Sequence, residues 1–538
     1  MLLNYQGLQD AAAFGRAGIA LPGFDWRAMR ENTRQTPVWV HFGAGNIFRG
    51  FIAVLQQRLL NEGLAKSGII AAETFDYNII DKIYTPYDCM ALLAGLRADG
   101  GIEKEVIASV AEGIKADTTD AAEWAKLRAV FESPSLQMAS LTITEKGYAL
   151  TGAEGNLLPV VAEDIKNGPK APRHAMGVLA SLMLVRFQQG AAPVALVSMD
   201  NCSHNGDKLR DSVLTIAEGW LDNHFAEPDF IAYLKDEEKV SFPWSMIDKI
   251  TPRPAEAIEK HLAGLGIQNM EPVVTEKHTY IAPFVNAEIP QYLVIEDRFP
   301  NGRPALEKAG VYLTDRETVN KTERMKVTTC LNPLHTALAV YGCLLGYDSI
   351  SAEMKDKELK ALVEQIGCNE GMPVVTDPGI LNPRDFIREV LEERLPNPFI
   401  PDTPQRIATD TSQKIPIRFG ETIKAYMARP DLDAGQLTYI PLALAGWLRY
   451  LLATDDNGES MPVSPDPMLE QLQAQLMGIG SGPDAANQLK PILSNRIIFG
   501  VDLYEAGLGE KVAGMFRELS DGPGAVRKTL IKYKNLYS

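Results

Sequence analysis

PVWVHFGAGNIFRGFIAVLQQRLLNEG, residues 37–63, is the stretch that decides the fold. Residues 38–42 form an apolar run suited to a buried strand, Gly43, Ala44 and Gly45 make a tight turn, and residues 47–60 have helical periodicity. In that order they place backbone N–H groups at a helix N-terminus, where a pyrophosphate can be held. A plain strand-to-helix turn also uses glycine, so the context carries the nucleotide reading. The third glycine of a GxGxxG pattern is absent: Phe48 stands there, followed by Arg49 and Gly50, with Asn46 between turn and helix. A second strand over 68–72 runs into Glu73-Thr74-Phe75-Asp76. An acid at that position accepts from the adenosine ribose and repels a 2′-phosphate, which favours NAD over NADP. Glu73 and Asp76 are both candidates for that role.

The rest of the N-terminal half continues the α/β pattern. Residues 1–36 read as an arm packed on the domain that begins at the strand 38–42. SLTITEKGY, within 136–148, reads as a strand ending in a polar cluster that includes Glu145, at the sheet edge where open α/β sheets bind ligands. A helix is expected over 172–188. A buried strand over 192–197 empties into Ser198-Met199-Asp200-Asn201-Cys202-Ser203-His204-Asn205-Gly206. Asparagines after a strand often make only Asx-turns, but the density of amides here equally suits a site. FPWSMIDKITPRP puts Asp248 on an extended piece before two prolines. After residue 315 the texture becomes long amphipathic helices, expected over 317–346, 352–366, 384–394, 403–410, 417–428, 437–454, 466–477, 483–494 and 501–535 with breaks. The expected architecture is a Rossmann-like α/β domain, 1–315, followed by an all-α domain, 316–538.

Bulk properties narrow the function. A chain of 538 residues with 46% hydrophobic and 23% charged content is an ordinary globular protein of two or three domains. A net charge of −16 argues against nucleic acid or an anionic membrane as partner, while leaving room for a locally basic pocket. No apolar run approaches the roughly 20 residues of a membrane span, and the N-terminal residues lack the form of a signal peptide. The five cysteines include no CxxC pair and the seven histidines no HxxxH. The expectation is a cytoplasmic protein without a metal.

ERMKVTTCLNPLH, residues 323–335, carries the densest chemistry. Asn332 and His335, three apart, share a helix face, whereas Lys326 lies about half a turn away at about 3.6 residues per turn. Pro333 removes a hydrogen bond in a continuous helix and pushes on the carbonyl of Thr329. A π-bulge between Lys326 and Asn332 would swing the lysine back, so the helix is expected to be irregular there. The bland alternative is a kinked core helix with a snorkelling lysine. Further on, Asp402 is read as an N-cap, and Arg406 and Lys414 flank a polar turn that can hold a carboxylate or polyol, or can pair with surface acids.

GAGNIFRG (43–50), TITEKGY (142–148), MDNCSHNG (199–206), MIDKITP (246–252), VIEDRFPNGRPALEKAGV (294–311), KVTTCLNPLH (326–335) and RIATDTSQKIP (406–416) together resemble the long-chain mannitol dehydrogenase family. That family contains mannitol dehydrogenases and the fructuronate and tagaturonate reductases. The resemblance implies a Rossmann-like domain, a helical domain, NAD as cofactor and a monomer. It makes Lys326 the acid/base, Asn201 and Asn332 the donors to the developing alkoxide, and His335, Asp248, Arg406 and Lys414 groups that position substrate. The chain departs from the family pattern in having six positions from Lys326 to Asn332 rather than five, and proline after Asn332 rather than glycine. Physically, a lysine serves as base near neutral pH when desolvation or neighbouring cations favour its neutral form, and two amides donate to an oxyanion without ionising. The substrate expected is a hexuronate, D-fructuronate reduced to D-mannonate, because Arg406 and Lys414 suit a carboxylate. Mannitol oxidation to fructose is the alternative and tagaturonate reduction a third. A non-catalytic nucleotide-binding protein would need none of Lys326, Asn332, Asn201 or His335.

Overall fold

In the computed structural model, which describes residues 1–152, 154–479 and 485–537, the chain divides into two compact units. The first comprises residues 1–97 and 101–320, the second residues 98–100 and 321–538. The division falls inside the helix Arg316–Met325, at residue 320.

Six strands form the main sheet of the first unit: β1 (Trp39–Phe42), β2 (Ile69–Glu73), β3 (Val110–Lys115), β4 (Met138–Leu141), β5 (Val194–Ser198) and β6 (Val240–Ser241). They are all parallel, in the order β3-β2-β1-β4-β5-β6. This is the doubly wound arrangement, whose order reverses between β1 and β4 and whose ligands bind beyond the strand ends at that point. β1, β2, β4 and β5 are buried on both faces, which is why they read as unbroken apolar runs. Their side chains alternate between two cores: Val40, Phe42, Ile70 and Leu141 enter one, and Trp39, Ile69, Ala71 and Val197 the other. A fully buried side chain of this size contributes on the order of 2 kcal/mol, so β1 holds the following turn on a rigid base.

Among the described residues three smaller sheets complete the unit, one of them the short pair Val273–Val274 and Tyr280–Ile281. Strands Ile19–Ala20, Ile102–Ile107, Ala91–Leu96 and Phe284–Glu288 form a mixed four-stranded sheet. Ser245–Asp248, Tyr292–Glu296 and Tyr312–Thr314 form a three-stranded one. The N-terminal arm is itself folded, with the helix Trp26–Gln35 capped by Asp25. β4 is shorter than expected. Residues beyond Leu141 leave the ladder because the Ile143 and Thr144 N–H groups donate to the Asp200 carboxylate instead.

The second unit is helical. Most of its helices fall within the expected spans, Thr411–Ile415 and Arg496–Phe499 lie outside them, and residues 483 and 484 of the expected helix 483–494 lie outside the described residues. Among the described residues π turns interrupt the helices at Lys326–Cys330, Gln365–Gly371, Val390–Arg394 and Pro416–Gly420. The expected helix 317–346 is therefore three pieces: Arg316–Met325, the first π turn, and Asn332–Leu345. The last piece is buried along most of its length, with the Tyr341 hydroxyl donating to the Leu442 carbonyl of helix Tyr439–Tyr450 at 2.8 Å.

Candidate active site

The turn after β1 is built for close approach. Gly43 has φ +101°, and a Cβ there would collide with the Thr142 carbonyl of the segment after β4. Its N–H donates to the Ala72 carbonyl at 2.8 Å, tying the turn to β2. Around Gly45 a Cβ would meet nothing within 4 Å, so the backbone there faces open space. A helix over 46–61 follows, and its first N–H groups have no acceptor of their own. These features fit a pyrophosphate. Glu73 is buried and accepts from three backbone N–H groups: Ala44 (2.8 Å), Phe75 (2.8 Å) and Asp76 (3.2 Å). Burial pushes its carboxyl above the usual range, and those donors oppose the rise. Oε2 accepts one bond from the turn, which leaves it a second lone pair. Asp76 is turned elsewhere: its Oδ2 accepts from the Thr275 hydroxyl at 2.6 Å. Phe48, in place of the third glycine, is fully buried and stacks on His41 at 4.3 Å, while the helix widens into a π turn at Phe48–Ile52. His41 lies 2.6 Å from the Ser140 hydroxyl and 2.8 Å from that of Thr142, and burial pushes its pKa down to about 3. It is thus a neutral link between β1 and β4. Arg49 is buried, donating to the Ala282 carbonyl and to Asn46 Oδ1, both at 2.8 Å. Glu145 lies on the exposed rim, paired with Lys208.

The strand ends next to this turn are locked by one carboxylate. Asp200, after β5, accepts from Ile143 N (2.9 Å), Thr144 N (2.9 Å) and the Tyr148 hydroxyl (2.6 Å). Asn205 Nδ2 donates to the Asp200 carbonyl at 3.0 Å and to the Ser245 carbonyl at 2.9 Å. Asn201 therefore sits on an exposed loop clamped on both sides by Asp200 and Asn205. Asp248 ends the strand Ser245–Asp248, is buried, and pairs in register with Tyr292.

In the helical unit the expected irregularity is a π turn. Lys326, 2% exposed, opens it, and its carbonyl accepts from Leu331 N, five residues on, at 3.1 Å. Leu331 leaves helical geometry altogether (φ −131°, ψ −62°), and Asn332 starts a new helix. Pro333 thus falls in a first turn, where an N–H would have no acceptor, rather than pressing on the Thr329 carbonyl. The extra residue rotates the following helix by about 100° relative to an uninterrupted one. The turn is anchored by the Thr328 hydroxyl on the Arg324 carbonyl and the Thr422 hydroxyl on the Thr328 carbonyl.

His335 Nε2 lies 3.3 Å from Asp402 Oδ2 without the alignment of a hydrogen bond. Burial lowers the histidine's pKa, Asp402 opposes that, and the charges of Arg418 and Arg406 add to it. Asp402 is not the N-cap expected of it: Thr403 Oγ1 caps the helix Pro404–Ile407, and Asp402 pairs with the Arg406 guanidinium. Burial would raise the Asp402 carboxyl, but His335 and Arg406 hold it below its ordinary value. Lys414 donates to the carbonyls of Ile407 (3.1 Å) and Thr409. Its pKa is lowered by burial and then by Arg418. Arg418, which no sequence motif singles out, donates to Thr336 Oγ1 at 2.6 Å, and Thr336 in turn donates to the Asn332 carbonyl at 3.0 Å. Its position four residues after Lys414 on one helical stretch is the signal that points to it.

A doubly wound parallel sheet with a glycine turn at its switch point, joined to a helical unit with a buried lysine, defines a dinucleotide-dependent oxidoreductase. The Rossmann domain of mannitol dehydrogenase matches residues 38–308 and its C-terminal domain residues 318–520, so the chain belongs to the mannitol dehydrogenase family. It is 57% identical over 534 residues to a D-mannonate oxidoreductase of Thermotoga maritima, covering 98% of each chain. It is 31% identical to a mannitol 2-dehydrogenase of Aspergillus fumigatus, covering 99% of each. Among solved structures it is similar to the ternary complex of Pseudomonas fluorescens mannitol 2-dehydrogenase with NAD and D-mannitol, at TM-score 0.70 and 26% identity, covering 99% of this chain and 100% of that one. A D-sorbitol dehydrogenase aligns at TM-score 0.78 and 25% identity, covering 96% and 98%. The chain is an NAD-dependent oxidoreductase acting on a CH–OH group. Among the described residues no helix is long and apolar enough to cross a membrane, and no cluster of His, Cys, Asp or Glu could hold a metal ion.

Proposed function

We propose that this enzyme interconverts D-mannonate and D-fructuronate. The observation that carries this reading is the 57% identity, across 98% of both chains, to a D-mannonate oxidoreductase. The concentration of Arg406, Lys414 and Arg418 near His335, in a chain of net charge −16, supports an anionic substrate. When bound, NAD supplies the hydride acceptor for oxidation and NADH the donor for reduction. Lys326 takes the hydroxyl proton in oxidation and returns it in reduction. Asn332, at the free N-terminal turn of its helix, donates to the oxygen as charge develops, and Asn201 is assigned the second donor. His335 stays neutral at physiological pH, because its pKa is lowered, and so can both donate to and accept from substrate hydroxyls. Asp248 accepts from another hydroxyl. Glu73 meets the adenosine ribose through the lone pair the turn leaves on Oε2, with Gly43, Ala44, Gly45 and Asn46 framing the pyrophosphate. We assign the enzyme to the cytoplasm and read it as a monomer; size-exclusion chromatography checks the oligomeric state directly.

Steady-state NADH consumption with D-fructuronate, D-tagaturonate and D-fructose supplied separately tests the substrate. D-fructuronate is expected to give a kcat/KM at least about 100-fold above that of fructose, as a charged anchor worth about 3 kcal/mol would. Turnover of fructose alone would instead favour the mannitol reading, which the 31% identity to mannitol 2-dehydrogenases supports. Turnover of tagaturonate alone would move the enzyme to the epimeric acid. For the cofactor end, Glu73→Gln loses an acceptor for charge-assisted bonds worth about 1.5 kcal/mol or more. NADH affinity, read by fluorescence titration, should fall about tenfold, and unaltered affinity would free Glu73 from that role.

A further inference from the structure

We infer that Lys414 and Arg418 together hold the substrate carboxylate, and that Arg418 is the residue that selects a sugar acid over an uncharged sugar. The inference rests on the proposed D-mannonate activity and revises the expectation that Arg406 and Lys414 form the clamp. Arg406 is already neutralised: its guanidinium pairs with Asp402, which also faces His335. Lys414 and Arg418 differ. They stand four residues apart on one helical stretch, joined through the π turn Pro416–Gly420. Among the described residues each donates only to neutral oxygens, Lys414 to the Ile407 and Thr409 carbonyls and Arg418 to the Thr336 hydroxyl.

Among the described residues no carboxylate lies within 4.0 Å of either cation. The acids whose charge reaches Lys414 are Asp410 and Asp466, and Asp466 is engaged by the N–H and hydroxyl of Ser412. Two like charges partly drawn out of water on one helical stretch repel one another and are costly to keep without an anion. Lys414 registers that cost directly, since burial and the neighbouring guanidinium both disfavour its charged form. A carboxylate arriving between them would remove the repulsion and accept the paired N–H groups that a guanidinium presents.

The location agrees. Arg418 is tied through Thr336, one residue beyond His335, to the carbonyl of Asn332 on the same helix. The carboxylate of D-fructuronate lies four carbon–carbon bonds from its ketone, so an anchor beside the Asn332 turn, rather than at the reacting carbon, is what the acid requires. A polyol brings no charge to offset the two cations, and this asymmetry yields selectivity.

The test compares wild type, Arg418→Gln and Arg418→Lys with D-fructuronate and D-fructose, each with NADH. In Arg418→Gln the ratio of kcat/KM for the acid to that for the ketose should fall at least about 30-fold, chiefly through KM for the acid. Arg418→Lys, which keeps the charge and loses the fork, should recover part of that ratio. D-mannonate should raise the melting temperature of wild type and do so less for Arg418→Gln. A role confined to bridging helices would depress both substrates alike and leave the ratio intact, which would overturn the inference, as would an unaltered ratio with normal kinetics. Wild type unable to use D-fructuronate but active on D-tagaturonate would sink the proposed reaction alone, and the ratio is then read with tagaturonate. Wild type active on fructose only sinks both.

Discussion

Lys326→Ala should lower kcat for fructuronate reduction by about 1,000-fold or more, with NADH affinity within about threefold of wild type. A positioned acid/base contributes about 100- to 10,000-fold, and in the proposed mechanism the same amine also serves the oxygen whose charge changes. The structural ground is specific. Lys326 is 2% exposed although it is a lysine, and it opens a π turn whose six positions to Asn332 replace a regular helix. π turns concentrate where a side chain must be re-aimed. The kcat loss should be similar with either direction of the reaction, since one group serves both. Single-turnover measurements at saturating cofactor separate the chemical step from binding. A kcat within tenfold of wild type would remove Lys326 from proton transfer and leave the π turn as packing only.

Much of the fold and site is legible in the residues alone, and the features that escape do so for identifiable reasons. The glycine turn is legible because its determinants are local: an apolar strand, two glycines and a periodic helix within twenty-seven residues. The π turn is legible because counting from Lys326 to His335 leaves the lysine on the wrong face of a regular helix. Arg418 escapes because its meaning depends on a distant event, the neutralisation of Arg406 by Asp402, which leaves a different pair of cations for an anion. Asp402 misleads for the matching reason: an acid before Thr403 and Pro404 looks like a cap, but Thr403 fills that role. Phe48 shows the same limit in the other unit, since its stacking on His41 belongs to core packing that no spacing rule reports. The choice between Glu73 and Asp76 turns on partners nearly thirty and two hundred residues away, Ala44 and Thr275.

Glu353→Gln is expected to stabilise the helical unit by about 4 kcal/mol at pH 8 and to lose that advantage at pH 4.5. Glu353 is fully buried at the end of the short helix Ile350–Glu353, and among the described residues neither carboxylate oxygen has a hydrogen-bond partner. It lies against Gly342 of the helix Asn332–Leu345, where any Cβ would collide with its Oε1. Burial, with a smaller contribution from Asp356, pushes its pKa from 4.5 to about 9. Between those values the folded chain keeps a proton that the unfolded chain has released, so stability falls as pH rises, by about 1.4 kcal/mol per pH unit at most. Below 4.5 both states are protonated and above about 9 both are ionised, so the slope is confined to that window. Glutamine cannot ionise and removes the slope, while its amide keeps a desolvation cost of about 1–3 kcal/mol that the protonated acid also carries. Urea midpoints followed by far-UV circular dichroism at several pH values would show this. An equal pH slope in both proteins would assign the proton to another group. Because Glu353 abuts the helix bearing Asn332 and His335, and Ile350 N–H donates to the Asp402 carbonyl at 2.9 Å, its ionisation reaches the elements that frame the site. The wild type should therefore lose activity reversibly above about pH 9, and Glu353→Gln should retain it.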